Sequence, residues 1–305
     1  MIKELLEHYP RYHHLVAAAQ LILAMFGMGL VTRPRNFVEI VLEPKPMLVG
    51  VLYLLIGIPL LTVAMLLVLD LPPEIAVGFL IVAAMPGGSM SNVYTHLGKG
   101  NVALSVALTG VMTILALLST PLILRLFASE HLPPEIVMPV GSVMREILLF
   151  LLLPLGAGMA LGRVTQPAWS VQGSKWLVRA SLLALVIIVV GSIGSGHLDV
   201  GAYGLRIPIL IFLYCLIIQI IILRGSRHIL KFSPADSTAL GIEASMKNTS
   251  LGILIASSLF AIEGGNAAFG GGVLFVLLLY GGVSLGVAAV PAISSIRRLR
   301  KPSTP

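Results

Sequence analysis

Ala83-Ala84-Met85-Pro86-Gly87-Gly88-Ser89-Met90-Ser91-Asn92 breaks one apolar stretch with a Pro-Gly-Gly, and Gly241-Ile242-Glu243-Ala244-Ser245-Met246-Lys247-Asn248-Thr249-Ser250 places a carboxylate, an ammonium and an amide inside another. Hydrocarbon offers a broken helix no hydrogen bonds. Such an interruption persists only inside protein or beside a water-filled cavity. Two polar interruptions in separate halves of an apolar chain point to a transporter's binding site.

The surrounding composition is that of a polytopic membrane protein. Of 305 residues, 57% are hydrophobic and only 11% are charged, against about 25% charged in a soluble domain. The net charge of +7 arises from bases that cluster between apolar spans, so it does not indicate a nucleic-acid partner. Cys215, the single cysteine, lies in an apolar stretch and excludes an intramolecular disulfide. Residues 1–14 lack the basic, apolar, small-residue order of a cleaved signal, so the first apolar stretch is expected to remain as a helix.

Nine spans are expected, near 14–32, 47–69, 75–97, 101–127, 136–162, 177–196, 207–223, 236–260 and 268–293. Arg145-Glu146 leaves the start of the fifth open. Arg33, Arg35 and Lys45 follow the first span, Arg224, Arg227 and Lys231 the seventh, and Arg297 to Lys301 close the chain, while Asp70, Glu74 and Glu130 mark the alternate loops. Basic loops face the cytoplasm. The C-terminus is therefore expected inside, the N-terminus outside, and the chain in the plasma (inner) membrane. The two interrupted spans lie five apart and cross in opposite directions. That fits an inverted repeat of 4+5 helices, with one helix absent from the first copy.

Glu243 carries the most chemistry, because a charge at a helix centre costs about 2.5–3.5 kcal/mol on insertion scales. Lys247 follows one helical turn later, in the favourable Glu-then-Lys order. The pair reads either as an internal ion pair or as a cation or substrate site. Ser91 and Asn92 follow the first break, and Ser105 and Thr109, four apart, share one helix face. These are hard oxygen ligands for an alkali cation. Helix glue or back-bonding is the alternative, but with Glu243 and both breaks the set favours a cation pocket.

Other features read as structural. Gly158-x-x-x-Gly162 and Gly282-x-x-x-Gly286 fit close helix packing. Pro59, Pro154, Pro208 and Pro291 are tolerated kinks. Met25, Met28, Met85, Met90 and Met246 pack, or soften a cavity for an adaptable substrate. The histidines lack metal-ligand spacing. An enzyme is not expected: Asp70, Asp199 and Asp236 lie at span ends, and no base accompanies Ser89.

Phe26-Gly27-Met28-Gly29-Leu30, Pro86 through Asn92, Gly100-Asn101-Val102-Ala103-Leu104-Ser105 and Glu243 through Asn248 together resemble the bile acid:sodium symporter family, from about Leu23 to about Leu285. The resemblance implies an all-α transporter with two crossing discontinuous helices, in its nine-helix form. It implies a core domain and a panel domain. We expect the core over roughly 75–163 plus 236–293 and the panel over roughly 14–69 plus 177–223. It also implies a first sodium site from Ser91, Asn92, Ser105, Thr109 and Glu243, and a substrate site from Ser89, Met90, Ser91, Asn92, Asn248 and Thr249.

A second sodium site departs from the family pattern. Lys247 stands where the family has Gln, Ser245 where it has Gly, and residues 47–69 contain no Gln. An ammonium has donors only and cannot ligate sodium. The second sodium is expected absent, its charge supplied by Lys247, and sodium coupling weakened or lost. No cofactor is expected beyond one Na+ at the first site. The expected substrate is an amphipathic organic anion of bile-acid type, its anionic group at the half-helix N-terminus near Ser89–Asn92, moved by alternating access in a monomer. Sodium-coupled symport of a small, pantoate-like carboxylate and an anion channel are the alternatives.

Overall fold

A computed structural model describes residues 2–32, 44–88, 90–134, 136, 138–194, 200–260 and 267–299. The regular elements among them are helices. In chain order the main ones are α1 (Ile2–Val31), α2 (Pro44–Val68), the short α3 (Pro73–Ala84) and α4 (Met90–Leu97), and then α5 (Val102–His131), α6 (Val140–Val164) and α7 (Pro167–Gly194). There follow α8 (Arg206–Ile229), the short α9 (Pro234–Ser245) and α10 (Thr249–Leu259), and α11 (Ala267–Leu299). Among the described residues seven helices are long and apolar enough to cross a membrane: α1 from Tyr12, α2, α5, α6, α7, α8 and α11. The two interrupted spans are each a pair of short helices, α3 with α4 and α9 with α10.

Proline shapes the long helices. A wide turn over Tyr53–Gly57 comes just before Pro59 in α2, and another over Ile147–Leu152 just before Pro154 in α6. Proline has no N–H for the preceding turn, and the widened turn absorbs the mismatch.

The helices are described in two groups, which also pack on each other through α1 on α10 and α5 on α6. In the first, α1 lies against α7 and the second half of α6. Glycine permits the approach: a Cβ on Gly29 would lie 2.3 Å from the Leu155 carbonyl oxygen, and one on Gly158 would lie 2.3 Å from that of Phe26. Gly162 meets the Leu30 carbonyl in the same way. Gly158-x-x-x-Gly162 is thus a packing face. A Cβ on Gly282 or Gly286 would meet nothing within 4 Å among the described residues, so their identical spacing packs against none of these. Gln20 of α1 donates to Ser181 of α7 at 3.0 Å.

The second set surrounds the short helices. α8 packs on α9 and α11, α11 on α3, and α2 on α3 and α5. Thr62 of α2 and Tyr214 of α8 share a hydrogen bond of 2.6 Å. Phe79, Tyr214, Phe275 and Tyr280 form its buried aromatic centre. The glycine contacts join α6 to α1, and the buried hydroxyl and aromatic contacts join α2 and α8 to α3 and α9.

Candidate functional site

The two interruptions cross each other. Gly87 and Lys247 pair as a single antiparallel bridge. The Gly88 N–H donates to the Met246 carbonyl and the Asn248 N–H to the Pro86 carbonyl, each at 2.8 Å. Each break supplies what the other lacks. Helix ends also free carbonyls that lipid cannot satisfy, and here side chains cap them. Thr120 donates to the Ala84 oxygen at 2.9 Å, and Tyr280 donates to the Ser245 oxygen at 2.6 Å. The α10 end is capped by Asn248, whose Oδ1 accepts the Leu251 N–H at 3.2 Å.

Glu243 lies fully buried, two residues before the end of α9. Three hydroxyls donate to its carboxylate: Ser91 of α4 at 2.5 Å, and Thr109 and Ser105 of α5 at 2.6 and 3.1 Å. The single Ser105 proton is shared between Glu243 and Asn92 Oδ1, the latter at 2.8 Å. The first-site residues therefore meet at one point, as carboxylate, hydroxyl and amide oxygens. That set fits a hard monovalent cation. Among the described residues no group of three or more His, Cys, Asp or Glu could hold a metal. Gly87 is what lets the carboxylate sit here, since a Cβ at Gly87 would lie 1.8 Å from Glu243 Oε1.

Lys247 is 5% exposed, and its Nζ has no hydrogen-bond partner among the described residues. The sequence offers Glu243 as its partner. The structure gives that carboxylate to three hydroxyls and leaves Lys247 to act on it through charge alone, because α9 ends at Ser245 and Lys247 falls out of helical register.

The residues expected to hold substrate are spread around the crossing. Ser91 is spent on Glu243, and Asn92 is half-buried beside Ser105. Met90 packs against Ile242 and Met246, which favours the packing role for that side chain. Asn248 is buried and keeps its amide N–H groups free of the cap. Thr249 faces Gly281, where a Cβ would lie 3.1 Å from its Oγ1. Ser89 lies outside the described residues.

Reasoning from sequence missed several supports. Asn101 caps α5 and donates to Asp236 of α9 at 2.8 Å, and its N–H donates to the Ala235 carbonyl at 3.0 Å. Asp236 thus ties α9 to the start of α5. A polar residue at each helix start signals a cap, but nothing in the spacing pairs Asn101 with Asp236, 135 residues apart.

A membrane-spanning helical chain whose two polar helix breaks interlock around a buried carboxylate has the architecture of a secondary transporter. Comparison with known proteins agrees. Residues 18–198 match the model of the Sodium Bile acid symporter family. A Bacillus subtilis protein named "Uncharacterized sodium-dependent transporter YocS" is 36% identical over 241 residues, 78% of this chain and 73% of its own. An Arabidopsis thaliana protein named "Probable sodium/metabolite cotransporter BASS1, chloroplastic" is 28% identical over 243 residues, 79% of this chain and 58% of its own. A human protein named "Sodium/bile acid cotransporter 4" is 30% identical over 176 residues, 56% of this chain and 40% of its own. The chain thus spans less than two thirds of the plant and human relatives. It belongs to the sodium bile acid symporter family, and its relatives are named as transporters rather than enzymes.

Proposed function

We propose that this chain moves amphipathic organic anions, of bile-acid type, across the plasma membrane by alternating access. In this reading each interrupted helix pair is one crossing, which gives nine spans arranged as an inverted repeat. The set of α1, α6 and α7 rocks against the set of α2–α5 and α8–α11, with the helix crossing between the two faces of the membrane. The N-terminus lies outside and the C-terminus in the cytoplasm. The anion approaches the N-termini of α4 and α10, where helix dipoles and the Asn248 amide favour negative charge.

One observation carries the coupling part of the reading: the buried Lys247 ammonium has no hydrogen-bond partner among the described residues, while three hydroxyls hold the Glu243 carboxylate without it. A tethered positive charge at this depth supplies what a second diffusing cation would bring. Sodium dependence, which the relatives' names carry, is therefore weakened or lost. The test is counterflow of radiolabelled cholate in proteoliposomes, with and without a sodium gradient. We expect saturable exchange in both conditions. Accumulation that requires the sodium gradient overturns the coupling proposal. Currents that do not saturate and show no counterflow indicate a channel.

A second reading, sodium-coupled symport of a small carboxylate, draws on the convergence of Ser91, Ser105 and Thr109 at Glu243. It expects pantoate exchange to rise with sodium and cholate exchange to be absent.

A further inference from the structure

A second buried carboxylate lies away from the crossing. At one end of the bundle a cavity of about 560 Å³ opens between α1, α6 and α10, lined in part by His14, Ser142, Glu146, Phe150, Ser257 and Ser258. Glu146 is 5% exposed. Its Oε1 accepts the hydroxyl of Ser258 and stands 3.8 Å from His14 Nε2. Its Oε2 has no hydrogen-bond partner among the described residues. Glu146 and His14 belong to the first helix set and Ser258 to the second. A carboxyl of one set is thus tied to the other by one hydroxyl, with an oxygen to spare.

Around it the titratable or charged groups are few. α1 brings His13 and His14, and Arg145 beside Glu146 is exposed. The part of α5 packed on the start of α6, within Val102–Ile123, carries none, and neither does α10. His14 is the group placed to serve Glu146: its side chain is 39% exposed while its ring nitrogen reaches toward the buried acid. Histidine gives and takes protons near neutral pH, and chains of Asp, Glu and His inside membranes mark proton relays.

We propose that His14 and Glu146 form a proton-binding pair, in which His14 passes protons between the cavity and Glu146, and that this proton is the carrier's coupling ion. The proposal rests on the reading that the two helix sets move against each other. When the sets close, Glu146 exchanges water for Ser258. When they part, it regains water. The two arrangements bind a proton with different strengths, and that difference is what lets a proton gradient bias the motion. With Lys247 fixed at the crossing, a proton at the interface supplies a gradient that the tethered amine cannot.

The test uses the purified full chain in lipid nanodiscs, with Cys215→Ala and spin labels on cysteines replacing Val68 and Ile193. Both positions are exposed, one in each set. We expect the distance between the labels to shift between alkaline and acidic buffer. Glu146→Gln keeps an acceptor for Ser258 but cannot exchange a proton, and it should abolish the shift. His14→Gln should keep both end distances and slow the response to a pH jump about tenfold or more. If Glu146→Gln does not fold, Ser258→Ala decides, because it keeps the carboxyl and should move the midpoint of the shift. An unchanged pH response in these variants overturns the proposal. Distances that respond to cholate but not to pH sink the proton pair alone. Distances that respond to neither sink the two-set reading with it.

Discussion

Glu243 and Glu146 are both carboxylates shut inside apolar helices, and they are held in opposite ways. Glu243 sits wholly within one helix set, with hydroxyls from α4 and α5 on its oxygens. Glu146 bridges the two sets, with one hydroxyl on one oxygen and, among the described residues, none on the other. A carboxylate held by three hydroxyls fixes geometry. One that bridges two groups of helices through a single hydroxyl can change partners. In the proposed reading the difference separates a binding site from a switching site, although both are glutamates in apolar sequence.

The contrast can be broken hardest at Gly87. Gly87→Ala drives a methyl into the Glu243 carboxylate, so the crossing cannot close. A loss of about 3 kcal/mol of stability is expected, with counterflow abolished, read by thermal denaturation and by cholate exchange. Next, Glu243→Gln should cost about 2 kcal/mol, because the hydroxyls lose a charged acceptor, and any protection of the protein by sodium against unfolding should vanish. The same change at the other acid, Glu146→Gln, should cost less than about 1 kcal/mol in melting experiments, since Ser258 keeps an acceptor. If the two glutamine variants are equally destabilised, the distinction between the acids fails. Thr109→Val removes one of the Glu243 donors and should cost about 0.6–1.7 kcal/mol, in the range of hydrogen bonds inside membrane proteins. Gly282→Ala should change stability by less than about 0.5 kcal/mol, because its added methyl meets nothing within 4 Å. Gly158→Ala is its control and should separate α1 from α6.

What the sequence revealed follows from how strong each physical signal is. Long apolar runs and a Pro-Gly-Gly break are unambiguous, so the positions of the helices and of both interruptions were legible. The spacing of Ser105 and Thr109 put both on one face, and both reach Glu243. Lys247 was legible as a buried charge, but not its lack of a hydrogen bond to Glu243 among the described residues, because helical spacing fails once α9 ends at Ser245. The helix grouping was hidden for another reason. In an apolar span the lipid-facing and protein-facing sides are both apolar, so periodicity does not say which neighbour a helix takes. Gly158 and Gly282 begin identical small-residue patterns, yet only the first meets a partner. Small residues mark where a backbone can come close, not what comes. The same blindness concealed the contact of His14, Glu146 and Ser258, drawn from three distant segments.

The reciprocal bonds at the crossing, Gly88 to Met246 and Pro86 to Asn248, have an evolutionary corollary. An insertion or deletion in either loop would strand a donor and an acceptor in its counterpart, beyond the reach of solvent. Neither loop can drift in length on its own. Descendants of this gene that remodel one must remodel the other in step, and the two peptides are inherited as a single lock.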